Sequence, residues 1–454
     1  MKFGGTSVED AAAIDRVAGI VKSRLRERPF VIVSAMAKVT DQLLAMAASA
    51  GRGERAKALG ICRALRERHY LTAGELLGTG LHTELHQALG AEFDALDELL
   101  RGISAVGELT PRTSDYVVSY GERLSSMIAT EAFLARDLPA AFVDPRQVIV
   151  TDAQHSRAVP QVEAIYDRLH DSVKPLLEQQ RVPIMGGFVG ATREGVTTTI
   201  GRGGSDFSAA LVGAGLNAER IEIWTDVDGM KTTDPRLCPQ ARRIKVISFE
   251  EAAELAYFGA KVLHPATVLP AVEKNIPVLV LNSRNPCNEG TRILARAPRS
   301  QCLFKAIAAK SRITVIDIVA ARMLMAHGFL AKVFEVFARH HCAVDVVSTS
   351  EVSISLTVDS NEAIPQIAAE LEKLAFVKYS GRKAIVCLVG ENLRDTPGVA
   401  AQIFDAIRDI NVRMISQGAS EINLTFVIDE EHVPEAVRRL HARFFSDVDP
   451  EVFD

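Results

Sequence analysis

A chain of 454 residues, 48% of them apolar, is long enough to bury several cores, and at about 100–200 residues per domain it holds about two to four domains. Its net charge of −5 gives no reason to expect nucleic-acid or anionic-membrane binding. Six scattered cysteines (Cys62, Cys238, Cys287, Cys302, Cys342, Cys387) without a Cys-x-x-Cys pair suit reduced thiols and argue against a disulfide framework or a cysteine zinc site. His340-His341-Cys342 is no better a metal site, because consecutive residues on a helix point in different directions. With no signal peptide and no long uncharged apolar run, a soluble cytoplasmic protein is expected.

In chain order, Lys2-Phe3-Gly4-Gly5-Thr6-Ser7 precedes a helical apolar period over residues 8–25. Residues 30–35 form a short apolar run, expected as a buried strand that ends in a small-residue loop through Lys38 and Thr40. Residues 41–110 are rich in Ala, Leu, Glu and Arg and read as helix; 119–125 lies at the head of, or just inside, a helix reaching residue 136. Strands are expected at 141–143 and 148–150, helix over 160–180, and a strand at 182–185 that delivers the chain into Gly186-Gly187. A helix over 206–216 leads to a strand over 220–224 ending at Thr225-Asp226; 249–262 is expected as helix and 278–281 as strand. Apolar strands alternating with helices predict a mostly parallel α/β sheet sandwiched by helices, with ligands at the loops beyond the strand carboxyl ends. The segments 3–7, 34–40, 186–190 and 225–236 all follow expected strands.

The stretch 186–209 carries the densest signal. Gly186-Gly187 and Gly201-Arg202-Gly203-Gly204 bracket a Thr-rich segment, and the second turn runs into Ser205-Asp206 and the apolar period of Phe207, Ala210 and Leu211. Ser or Asp just before a helical period is an N-cap signature. Such a loop-to-helix junction offers free N–H groups and a positive dipole end to an anion such as phosphate. The pattern is neither GxxxxGK[ST] nor GxGxxG. Lys2 beside Gly4-Gly5, Arg202 here, Arg236 after Thr232-Thr233-Asp234-Pro235, and Lys261 late in the 249–262 helix are each ordinary surface cations when taken singly. Together, near glycine turns and strand ends, they form a candidate phosphate cage, with Asp206 holding the lysines or reaching Mg2+ through water. A carboxylate acceptor would already be nucleophilic at neutral pH, which would explain the lack of Ser/His or Cys/His apparatus.

Beyond about residue 295 the character changes. Residues 334–359 align without a gap on 404–429 at a constant offset of 70, and Gly328/Gly398, Ala331/Ala401, Phe334/Phe404, Ser350/Ser420, Glu351/Glu421 and Asp359/Asp429 are identical pairs. Each copy reads strand, Gly-led helix, strand, turn, strand, so two small α+β modules are expected behind one large α/β domain.

The motifs at 2–7, 201–206, 224–227 (Trp224-Thr225-Asp226-Val227), 232–236 and 259–265 (Gly259-Ala260-Lys261-Val262-Leu263-His264-Pro265) resemble the signatures of the aspartokinases, members of the amino-acid kinase superfamily. The resemblance spans essentially the whole chain, because that family carries paired, commonly interleaved ACT modules after its kinase domain. It implies an amino-acid kinase fold over 1–297 and ferredoxin-like ACT modules over 298–380 and 381–454. The implied activity is ATP-dependent phosphorylation of the β-carboxylate of L-aspartate to 4-phospho-L-aspartate, with Mg2+, as the first step of aspartate-family amino-acid biosynthesis. The implied assembly is a homodimer formed through the ACT modules. By the same resemblance Lys2 and Asp206 are the catalytic pair, Arg202 grips the α-carboxylate of aspartate, Glu122 its α-amino group, and Thr40, Phe188 and Ser205 complete the pocket. Lys2, Gly4, Gly5, Thr225, Asp226, Lys231, Arg236 and Lys261 would hold ATP. The plain readings stay beside these: Phe188 as core, Glu122 as a helix-start charge. Two departures stand out: Lys231 occupies a position where the family usually has Tyr, and the chain starts almost on its lysine motif. A truncated start is therefore expected, leaving Lys2 without most of its supporting strand.

Met323 to Leu330, with Asp345 and Ser350-Glu351, resembles the sensing segment of lysine-sensitive aspartokinases. The implied effector contacts are Met323, Gly328, Phe329, Leu330, Asp345, Ser350 and Glu351, with Asp345 pairing the effector ammonium and the backbone of 328–330 meeting its carboxylate. Met325-Ala326 stands where those relatives commonly carry His-Ser, which predicts lysine inhibition that is weaker or shared with threonine. Two other readings stay open, as does membership of a larger fusion: a superfamily kinase acting on glutamate, acetylglutamate or UMP, and an effector-sensing dimer whose kinase domain is inactive.

Overall fold

The computed structural model describes residues 1–78, 83–258, 265–298, 302–320 and 328–454. It divides into two compact units, Met1–Gly229 with Leu263–Ala295, and Met230–Val262 with Arg296–Asp454. Among the described residues no helix is long and apolar enough to cross a membrane.

Strands of the first unit pair in the order Ala140–Val143, Val182–Gly186, Val31–Val33, Lys2–Phe3, Ile221–Thr225, Val278–Asn282, Thr291–Leu294. All of these pairings are parallel except the last. The central strands are buried along their length, Val31 and Val33 fully, as a sheet covered on both faces demands. The Pro111–Leu134 helix packs on the strands at 31–33, 140–143 and 182–186, and the Gly204–Gly215 helix on those at 2–3, 31–33 and 221–225. The strand that carries Lys2 is two residues long, and within it Lys2 pairs in register with Ile32 on one side and Ile223 on the other, while the neighbouring Phe3 ring stacks on buried Trp224 at 5.8 Å.

Several elements of the structure depart from the sequence expectation. The motif at 119–125 lies well inside its helix, which starts at Pro111 behind a Thr110 cap. Residues 148–150 form no strand: Asp144 caps a short Pro145–Val148 helix, proline being suited to the first helical position, and Val150 only bridges to Ala191. The run at 41–110 breaks into helices Val39–Gly51, Arg55–Leu77 and Thr83–Val106. Of the expected 249–262 helix, Phe249–Tyr257 is helical and 259–264 lies outside the described residues.

The second unit is built on an antiparallel sheet in the order Val344–Thr349, Ser353–Asp359, Phe304–Val319, Phe376–Gly390, Asn423–Asp429, Met414–Gln417. The sequence repeat is a structural one. Helices Phe329–Arg339 and Val399–Ala406 each follow a left-handed glycine (Gly328 φ 78°, Gly398 φ 79°), and the two long strands share a break at left-handed Arg312 (φ 62°) and Arg382 (φ 55°). Each long strand serves both modules. Val377 joins the core of Ile316, Val336, Ile354 and Ile367 in the first, while Phe304 sets its ring 4.4 Å from Phe444 in the second. The 380/381 boundary thus falls inside the Phe376–Gly390 strand, and Met230–Val262 groups with this unit.

Candidate active site

In the first unit, Lys2 of the 2–3 strand, the segments that follow the strands at 31–33 and 182–186, and the Pro111–Leu134 helix meet the turn before the Gly204–Gly215 helix around one cavity of about 430 Å3. Lys2, Thr40, Glu122, Phe188, Arg202, Ser205 and Asp206 all line it. Parallel strands end at the same edge of a sheet, which is why segments distant in sequence meet there.

The helix at 204–215 is capped by Gly203 in the left-handed region (φ 73°), with no side-chain cap, so neither Ser205 nor Asp206 has the capping role expected. Asp206 instead lies in the first turn and faces Lys2, whose Nζ is 2.7 Å from Oδ1. The pair is close but not aligned as a hydrogen bond, and the buried Oδ1 has no hydrogen-bond partner among the described residues. A charge pair held in this way is arranged for a third party, since its remaining valences are not spent on the protein.

Glu122 is 4% exposed, and its Oε2 has no hydrogen-bond partner among the described residues. Burial pushes its pKa up to about 7, against the pull of the Ala35 N–H, its own backbone N–H and the charge of Lys2. It is therefore no helix-start charge. Arg202, between Gly201 (φ 79°) and Gly203, is exposed and has no ion-pair partner among the described residues. Phe188 is half-buried rather than core; it sits in the left-handed region (φ 65°), where a bulky residue is strained, held by its N–H donating to Ser208 Oγ at 3.0 Å. An exposed guanidinium, a buried carboxylate with one oxygen left without a hydrogen-bond partner among the described residues, and a Lys–Asp pair around one small cavity can hold a zwitterion and neutralise phosphoryl oxygens beside it.

Asp115 is a residue that the sequence reading missed. It lines the same cavity, is 1% exposed, and accepts from Thr199 Oγ1 (2.6 Å), His155 Nδ1 (2.9 Å) and the Ser156 N–H (2.9 Å). The one available signal was its place two turns before Glu122 on a single helix.

Residues 1–282 match the amino acid kinase family, and residues 316–366 and 386–444 match an ACT domain family. Lysine-sensitive aspartokinase 3 of Escherichia coli (strain K12) is 38% identical, with 98% of each chain covered. Aspartokinase 2, chloroplastic, of Arabidopsis thaliana is 38% identical over 98% of this chain and 84% of its own. Among solved structures, E. coli aspartokinase III in complex with aspartate and ADP (R-state) superposes with a TM-score of 0.84 at 36% identity, covering 98% of this chain and 99% of that one. The same enzyme in complex with lysine and aspartate (T-state) gives 0.85 at 37%, with the same coverage. This chain belongs to the aspartokinase family. Its α/β unit with a mostly parallel sheet is the amino-acid kinase fold, and its antiparallel unit holds the ACT region.

The remaining aspartokinase positions are less concentrated. The Gly4 N–H donates to Trp224 O at 3.0 Å, which ties the Gly4-Gly5 turn to the end of the 221–225 strand. Thr225 closes that strand and donates its hydroxyl to the exposed Asp226 at 3.2 Å. Lys231 and Arg236 belong to the second unit; Arg236 is 88% exposed and its guanidinium grips Asp234 at 2.6 Å. Lys261 and Met323 lie outside the described residues, as do Met325 and Ala326.

At the expected effector site, Gly328 caps its helix, Phe329 starts it, Leu330 and Glu351 are exposed, and the Ser350 hydroxyl pairs with Ser353 Oγ at 2.7 Å. Asp345 is not a vacant anion. Lys310 Nζ lies 2.9 and 3.1 Å from its two oxygens, and the Tyr257 hydroxyl donates to it at 3.1 Å. Burial opposes the charge on Lys310, but the carboxylates of Asp359 and Asp345 hold its pKa above the ordinary lysine value. Neither Lys310 nor Tyr257 is marked by any motif, because tertiary packing of a strand and of the end of the Phe249–Tyr257 helix, not local sequence, brings them to Asp345.

Proposed function

We propose that this chain transfers the γ-phosphoryl group of ATP to the β-carboxylate of L-aspartate, under feedback control by an amino acid at its ACT modules. The observation that carries the reading is the buried Glu122 carboxylate, with its Oε2 left without a hydrogen-bond partner among the described residues, in a cavity shared with the Lys2–Asp206 pair and Arg202. Arg202 takes the α-carboxylate through its planar fork and Glu122 the α-ammonium, which leaves the side-chain carboxylate of aspartate as the reacting end. One of its oxygens attacks the γ-phosphorus in line, the bond to the β-phosphate oxygen breaks, and ADP leaves. No base is needed, because the nucleophile is already ionised. Lys2 neutralises charge on the transferring group, and Asp206 fixes its ammonium. Thr40, Phe188 and Ser205 complete the amino-acid pocket.

Gly4, Gly5, Thr225, Asp226, Lys231, Arg236 and Lys261 are assigned to the nucleotide. Magnesium would arrive with the nucleotide as Mg·ATP, and Asp206 would reach the ion through water. The functional division is a kinase domain over 1–297 with regulatory modules over 298–380 and 381–454, the chain acting as a cytoplasmic homodimer through those modules. The effector is lysine, alone or with threonine, with its ammonium on Asp345 and its other contacts at Met323, Gly328, Phe329, Leu330, Ser350 and Glu351.

Steady-state kinetics on two variants test the site. Arg202→Ala should raise the aspartate KM strongly and change the ATP KM little, and Asp206→Ala should cut turnover by orders of magnitude without loss of the folded circular-dichroism spectrum. Selective loss of ATP affinity in the first, or near-normal turnover in the second, overturns the assignment. ADP release that prefers glutamate, acetylglutamate or UMP over aspartate would replace the substrate, and lysine binding without any turnover would make the chain a sensor.

A further inference from the structure

Asp115 draws together three pieces of chain that the amino-acid pocket depends on. It sits on the Pro111–Leu134 helix seven residues before Glu122, so both carboxylates lie on one face of that helix, and both line the cavity with Val118 between them. Its Oδ1 accepts from the hydroxyl of Thr199, the last residue of the Thr197–Thr199 strand, three residues before Arg202. Its Oδ2 accepts from His155 Nδ1 and the Ser156 N–H. Ser156 is itself held in the left-handed region (φ 70°), and its carbonyl oxygen lies 3.4 Å from where a Cβ on Gly201 would stand. The Ala158 N–H donates to Thr199 O at 3.0 Å, so the 152–158 loop and the strand leading to Arg202 are locked to each other as well as to Asp115. A fully buried carboxylate with its donors all on neighbouring elements acts as a clamp.

We infer that Asp115 is a positioning residue that fixes the distance between the Glu122 and Arg202 ends of the pocket, and so sets aspartate affinity without touching the nucleotide. The inference rests on the reading of this cavity as the aspartate pocket. A zwitterion gripped at both ends binds only if the two grips are correctly spaced. A displacement of about 1 Å at such a site costs on the order of a hundredfold.

Three variants decide it, each with aspartate KM, ATP KM, kcat and thermal midpoint measured. Asp115→Asn keeps the shape but turns one acceptor oxygen into an NH2 that faces donors; it should raise the aspartate KM roughly tenfold or more, with the ATP KM within about twofold. Thr199→Val removes one donor alone and should shift the aspartate KM the same way by roughly threefold or more. If Asp115→Asn does not fold, this second variant carries the test. The double variant should be no worse than Asp115→Asn, because Thr199 acts through Asp115. A lowered thermal midpoint with both KM values unchanged, or equal losses for both substrates, would mean a merely structural role and overturn the inference. Arg202→Ala separates the two levels: if it leaves the aspartate KM unchanged, the pocket reading itself fails. If it raises that KM while Thr199→Val and Asp115→Asn do not, only the positioning role fails.

Discussion

Glu122 combines the binding role proposed for it with a cost to the fold. As a partner for an ammonium it must be ionised, yet burial raises its pKa to about 7. Aspartate kcat/KM should therefore fall as pH drops through about 7, tending to tenfold per unit below it, and Glu122→Gln should flatten that limb at a low level. A limb that survives the substitution unchanged would assign it to another group. Stability runs the other way. The folded pKa lies above the unfolded value of about 4.5, so the folded state keeps a proton that the unfolded state releases between these limits. Stability contributed by that proton is present below pH 4.5, declines as pH rises to about 7, and stays lost above it. Glu122→Gln should thus be more stable than the parent by about 1–3 kcal/mol at pH 8 in chemical denaturation, and should differ little at pH 4.5. At this scale the sequence was legible where residues sit in motifs: Lys2, Arg202 and Asp206 fall at one cavity with Glu122. Asp115 and Lys310 were not legible, because their partners come from register and loop approach.

The glycine turns show what an element adds to its residues. A Cβ at Gly187 would stand 2.7 Å from Ser205 Cα, a backbone obstacle that cannot rotate away. Gly187→Ala must therefore push the first turn of the 204–215 helix, with Asp206 in it, away from Lys2. A loss of roughly tenfold to a hundredfold in kcat/KM is expected. Gly195 supplies the control. Unlike Gly187 it is left-handed (φ 83°), but it faces open space, so Gly195→Ala should cost about 1 kcal/mol of stability and leave the kinetics alone. Equal kinetics for the two variants would show that close approach at Gly187 does not matter. Helices and buried strands were readable from their apolar period, since burial follows it. The cap was not, because the sequence offered Ser205 and Asp206 as well as Gly203, and contact with Lys2 decided their roles.

For the whole molecule, regulation is where sequence and structure differ most usefully. An effector acts only through its unequal affinity for two states. Asp345→Ala should abolish lysine inhibition while preserving uninhibited turnover. Lys310 already supplies Asp345 with an ammonium, one that a cationic effector bound there as proposed would have to displace. Lys310→Met should accordingly lower the half-inhibiting lysine concentration by about tenfold, since one competing charged contact is worth about 1.4 kcal/mol or more. Weaker inhibition in that variant would mean that Lys310 helps to hold the effector. The repeat was legible at its offset of 70, but the sharing of strands was not: each copy shows its own apolar pattern, and nothing local says which neighbour a long strand will choose. That sharing bears on how the regulatory region comes apart. Because Val377 fills the first module's core and Phe304 meets the second module's Phe444, neither module can open without uncovering apolar surface in the other. The pair should behave as one cooperative unfolding unit, and a ligand that tightens one half slows the opening of both.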